Sequence, residues 1–161
     1  GFQLVLLFHK SRSENSQETV IFHKNKQSII ADKSGEKLIF FTLLDTISIR
    51  NEKLVTAYSI GNAIAKIQFQ KSQNIFYRNE ECILVIDSVG IFEVEGFKPT
   101  IVILRDSPKI NLNRIIDNLK PKLIIADGSN YTSYVNLWDE TCLERKTPFH
   151  HTGQKGAYII K

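Results

Sequence analysis

Hydrophobic positions change their rhythm near residue 98, and the change divides the chain into two kinds of fold element. Before it, short apolar runs broken by polar turns read as β-strands. Thr19–His23 and Gln27–Ala31 flank the basic turn Lys24-Asn25-Lys26, and Lys37–Leu44 follows the polar turn Asp32–Glu36. Thr46–Ile49, Leu54–Ser59, Ala63–Gln70 and Asn74–Tyr77 continue the β-type pattern. Cys82–Ile86 is apolar throughout, as suits a strand buried on both faces, and Val89–Val94 is a candidate neighbour for it.

After Lys98, strand and helix patterns alternate. Thr100–Leu104 predicts a buried strand. Leu112, Ile115, Ile116 and Leu119 then fall at i, i+3, i+4 and i+7, the stripe of an amphipathic helix. Pro121 ends it, and Lys122–Ala126 predicts a second buried strand. Asp127–Asn130 supplies a turn, and Tyr131, Tyr134, Val135, Trp138 and Cys142 mark one face of a second helix. Pro148–His151 predicts a strand, Thr152–Gly156 a turn and Ala157–Ile160 a last strand. Strand–helix–strand–helix–strand in this order argues a parallel sheet.

Composition narrows the class. The chain has 161 residues, 42% hydrophobic and 24% charged, which suits a folded domain and excludes a disordered tail. It carries 15 Lys and 6 Arg and a formal charge of +4. That is mild positive charge, compatible with an anionic partner but better explained by a solvated Lys-rich surface. It contains no Met, so it reads as a piece of a larger protein or a processed product. Phe2–Phe8 is apolar without alternation and is followed by charged residues. It is either a first strand or the end of a membrane helix, with residues 1–14 as the membrane-exit segment and 15–161 as a single domain. Cys82 and Cys142 read as buried free thiols rather than a bridge.

Candidate chemistry is sparse. The 4 His show no metal-binding spacing, and His150 and His151, adjacent on a strand, point to opposite faces. Phosphate-loop, dinucleotide and nucleophile-elbow motifs are absent from the sequence. Two loops, Arg105–Lys109 and Asp127–Asn130, each follow a strand and precede a helix. If the strands are parallel neighbours, both loops lie at the carboxyl edge where open α/β sheets bind ligands. Arg105 and Lys109, with Lys24 or Lys26, would add positive charge there, whereas Asp106 and Asp127 would repel phosphate.

The stretch from Pro99 to Lys161 resembles the extreme C-terminus of ComEC family competence proteins, in the form found in Bacteroidetes. The resemblance rests on Leu119-Lys120-Pro121-Lys122, then Asp127-Gly128, then Thr152, Gly156 and Ala157, with Cys82–Asp87 as the strand that precedes them. It implies an α/β fold: a shortened, degenerate metallo-β-lactamase-like domain, with a β-rich N-terminal half and a β-α-β-α-β C-terminal half. It also implies membership of a membrane channel that admits DNA in natural transformation, inserted in the inner membrane with this domain facing the periplasm. The departures from the family pattern bear on chemistry. The His-rich metal signature is missing, Arg105-Asp106-Ser107-Pro108 stands at the HHGS loop, and Asp87 alone survives as a relic metal-ligand position. One carboxylate does not hold zinc. The expectation is a domain with no catalytic residue, no metal and no cofactor, whose partners are the rest of the channel and single- or double-stranded DNA. Candidate DNA contacts are Arg105, Ser107, Lys109, Ser129, Asn130 and Tyr131. The alternatives are a divergent metal-dependent phosphodiesterase using Asp87 and a structural cap that binds protein neighbours.

Overall fold

A computed structural model describes residues 17–42, 46–93 and 95–161. Residues 1–14, expected as strand or membrane exit, lie outside the described residues. The described chain divides into two compact units, one from 17–20, 30–72 and 159–161 and the other from 21–29 and 73–158.

The strands β1 (Gln17–Lys24) and β2 (Gln27–Ser34) are joined by Asn25 and Lys26. A two-residue link forces antiparallel pairing and demands left-handed backbone, which Lys26 adopts at φ 63°. β2 pairs antiparallel with β3 (Lys37–Phe41), Ile30 opposite Phe41. β3 pairs parallel with β4 (Lys66–Gln70), Phe40 opposite Phe69. Parallel neighbours cannot be joined by a tight turn. The crossover between them carries two helices, α1 (Thr46–Arg50) and α2 (Lys53–Gly61). This corrects the sequence expectation of strands at Thr46–Ile49 and Leu54–Ser59. The β-branched and aromatic residues there favour strand locally, but Leu54, Val55 and Tyr58 fall at helical spacing and Val55 is buried. Phe40 stacks on Phe69 at 5.6 Å, and the Arg50 guanidinium lies 5.0 Å from the Phe69 ring centre. This sheet has the order β10-β1-β2-β3-β4, with β10 at Tyr158–Ile160.

The second sheet is the C-terminal one, in the order β5-β6-β7-β8-β9. β5 (Ile75–Arg78) is its antiparallel edge strand. β6 (Glu81–Ile86), β7 (Ile101–Leu104), β8 (Leu123–Ala126) and β9 (Phe149–His151) run parallel. The helices α3 (Leu112–Leu119) and α4 (Thr132–Glu144) make the two crossovers after β7 and β8. The expected β-α-β-α-β order holds in this half. The candidate neighbour Val89–Val94 forms no strand over its described residues 89–93, and β5 and β7 hold the two places beside β6. The expected turn at Thr152 is one turn of helix, α5 (Thr152–Lys155).

The core of this unit follows the predicted stripes except at Tyr131, expected on the apolar face of the second helix, which instead stands at its N-cap and is exposed because the helix begins only at Thr132. Leu112, Ile115, Ile116 and Leu119 of α3 and Val135, Trp138 and Cys142 of α4 pack with Leu84, Ile86, Val102, Leu104 and Ile124. Trp138 is fully buried, and Tyr134 lies half-buried against it at 5.7 Å. Cys142 is a buried free thiol, and Cys82, also free, is only half-buried. Asn111 caps α3 by accepting from the Arg114 amide at 3.2 Å, and Lys120 ends it in the left-handed conformation.

Candidate functional site

The register of the parallel strands brings four strand ends into one row. Ile86 pairs with Leu104, Leu104 with Ala126, and Ala126 with His151. The residues that follow, Asp87, Arg105, Asp127 and Thr152, therefore share the carboxyl edge of the sheet. Two side-chain arrangements organise this edge.

The first surrounds Arg105, which is 8% exposed. Its Nη2 donates to Asn74 Oδ1 at 3.2 Å and lies 3.8 Å from Asp87 Oδ2, and Asn74 Nδ2 donates to the same Asp87 oxygen at 3.1 Å. Asp87 Oδ1 accepts from the Val89 amide at 3.0 Å. The guanidinium thus faces inward, and Asp87 is held by an arginine and an asparagine. Among the described residues, no three His, Cys, Asp or Glu side chains converge to hold a metal ion.

The second arrangement stitches the two loops together. Asp106 and Ser107 both adopt left-handed backbone, at φ 57° and 52°, which turns their amides toward the neighbouring loop. The Asp106 amide donates to Ser129 Oγ at 2.8 Å and the Ser107 amide to Asn130 Oδ1 at 2.9 Å. Asn130 Nδ2 donates to the Leu104 carbonyl at 2.7 Å, and Ser107 Oγ accepts from the Tyr131 amide at 2.8 Å. The structure therefore brings Ser107, Ser129, Asn130 and Tyr131 together, as expected. It assigns the first three to holding the loops and leaves Tyr131, 70% exposed, outside. The Tyr131 ring leans on Tyr134 at 6.3 Å. Lys109 is exposed on the first loop, past the buried Pro108.

The tip of the β1–β2 hairpin is part of the same unit and closes one side of the edge. Lys26 N–H donates to the Gly128 carbonyl at 2.8 Å, and Ser28 Oγ donates to Asp127 Oδ2. Gly128 is required here because a Cβ would stand 2.2 Å from the Lys24 carbonyl oxygen. Asp127 is fully buried. Burial pushes its carboxyl up to about 6, and the charge of Asp106 adds to this, against hydrogen bonds from Ser129 and Ser28 that favour the ionised form. An open cleft of about 520 Å³ results, lined by Asn25 and Lys26 of the tip, Asp106 and Ser107 of the first loop, and Ser129 to Thr132 of the second.

Two histidines meet beside this cluster. His23 Nδ1 lies 3.0 Å from Thr152 Oγ1, and the space where a Gly153 side chain would go is occupied by the ring edges of His151 and His23. Burial lowers the His151 pKa, and the neighbouring His23 lowers it further. His150, on the opposite strand face, packs on Tyr158 at 4.8 Å with Nε2 2.8 Å from the Gly156 carbonyl. Sequence reasoning missed the meeting of His23 and His151 and the seating of Ser28 on Asp127. Both span about a hundred residues or more, and no local pattern signals such a contact.

A family model described as the ComEC C-terminal domain matches residues 19–161, which takes in described residues of both units. No curated protein and no solved structure matches the chain.

Proposed function

The chain belongs to the ComEC C-terminal domain family, and from that premise we propose a non-catalytic, extramembrane domain of a DNA-uptake channel whose carboxyl sheet edge meets DNA. Family membership ties the chain to DNA uptake in competence. The finer reading is a degenerate metallo-β-lactamase-like domain on the periplasmic side of the inner membrane, with the rest of the channel as its partner. The absence of any membrane-crossing helix among the described residues is compatible with an extramembrane position.

The observation that carries the DNA reading is the cleft between the hairpin tip and the two loops. Lys26 and Lys109 offer exposed cations at or beside it, and Tyr131 offers an exposed ring. Arg105, Ser107, Ser129 and Asn130 serve the contact from behind, by fixing the loops that carry it. Contacts of this composition favour phosphate over base edges, so binding is expected without sequence preference. The hydrolase reading asks Asp87 to serve as a metal ligand, and Asp87 is engaged with Arg105 and Asn74.

Oligonucleotide titration at several salt concentrations tests this. The expected Kd is about 10⁻⁴–10⁻⁶ M at physiological salt, the range of non-specific contacts. The double change Lys26→Ala, Lys109→Ala should weaken binding to all sequences alike and flatten the salt slope by about two. Unchanged slope and affinity would move the contact elsewhere. No binding by the intact chain at low salt would favour the structural cap. DNA cleavage with added zinc or manganese, abolished by Asp87→Ala, would overturn the non-catalytic assignment.

A further inference from the structure

Asp127 is a buried carboxylate to which the DNA reading gives no work. It sits where the hairpin tip seats on the second loop, and the seat is closely fitted. Lys26 N–H reaches the Gly128 carbonyl, Ser28 Oγ reaches Asp127, and the Lys24 carbonyl fills the space beside Gly128. We propose that this seat is a proton-controlled latch: protonated Asp127 holds the hairpin tip down, and ionised Asp127 loosens it and opens that wall of the cleft.

Seated, Asp127 is shut away from water beside the charge of Asp106, and its carboxyl holds a proton up to a pH of about 6. Unseated, it meets water and returns to the ordinary carboxylate range near 4. The seated state therefore binds the proton more tightly, so acid must favour seating. The stabilisation is fully present below about pH 4 and is lost as pH rises through about 6. The hydrogen bonds from Ser28, Ser129 and Asn130 soften the penalty of the buried charge without cancelling it. The other titratable or charged groups around the seat are Asp106 on the first loop, Lys24 and Lys26 on the tip, His23 on β1 and His151 on β9.

The latch is independent of DNA in its first test and rests on the DNA reading only in its consequence for the cleft. Amide exchange of Lys26, corrected for its intrinsic pH dependence, reports opening of the seat. Opening should grow about 50-fold between pH 4 and pH 7 and then level off. Asp127→Asn keeps the shape, with its amide able to donate to Ser28, and should hold the tip seated at every pH. His23→Gln should leave the pH dependence in place. Equal corrected protection at pH 4 and pH 7, or the same slope in Asp127→Asn, would overturn the latch. Should that variant not fold, carboxyl carbon titration of the wild-type chain decides. A midpoint near 6 for Asp127 supports the latch, and one near 4 refutes it. If the latch operates while oligonucleotide affinity is the same at pH 5 and pH 7.5, the link between latch and DNA site is what fails.

Discussion

The parallel C-terminal sheet and the crossover between β3 and β4 solve the same problem in different ways. Each must carry the chain from the end of one strand to the start of its parallel neighbour. In the C-terminal unit α3 and α4 do so with wide apolar stripes, four buried residues on α3 and three on α4. Between β3 and β4, α1 and α2 do so with one buried residue each, Ile49 and Val55. A helix anchored by a full stripe announces itself in the sequence. One held by a single side chain, with the chain's ends fixed by the strands it joins, does not.

Changes that strip the stripe or insert the wrong preference should separate the two cases. The largest effect is expected at Trp138, which joins α4 to the sheet. Trp138→Ala should cost ~3–5 kcal/mol in urea denaturation, with loss of the near-ultraviolet aromatic signal. An exposed, freely iodide-quenched Trp138 would show that the α4 face is assigned wrongly. A smaller effect is expected where backbone, not stripe, makes the contact. Gly128→Ala drives a Cβ against the Lys24 carbonyl and should cost about 1–3 kcal/mol, with amide exchange rising first at Lys26. A neutral Gly128→Ala would mean that the hairpin tip is not seated there. The smallest effect decides the helix in the crossover. Ala57 is exposed in the middle of α2, so Ala57→Val should cost roughly 0.5 kcal/mol if the segment is helical. A stabilised variant would restore the strand reading, because Val favours strand over Ala.

The candidate site divides along the same line. The two loops at the carboxyl edge were legible, since each lies between an apolar run and a helical stripe and parallel pairing brings such loops together. The inward turn of Arg105 was not. It depends on Asn74, 31 residues earlier on the approach to the antiparallel edge strand, meeting Asp87 beside it. Lys26 on the hairpin tip and Lys109 on the first loop are exposed cations, while Arg105 is held inside the fold.

The sequence by itself determined the parallel half: its strand order of appearance, its two helices, their buried faces and the loops between them. Those are local facts, written as apolar runs and 3.6-residue spacing, and nearby residues suffice to express them. Tertiary structure alone decided three other things: that 46–50 and 53–61 are helical, that the first hairpin seats on Gly128 and Asp127, and that His23 meets His151. The first was set by the span a parallel crossover must bridge. The other two arise between segments about a hundred or more residues apart, where whether a carboxyl is buried or a glycine crowded depends on what the rest of the chain brings against it.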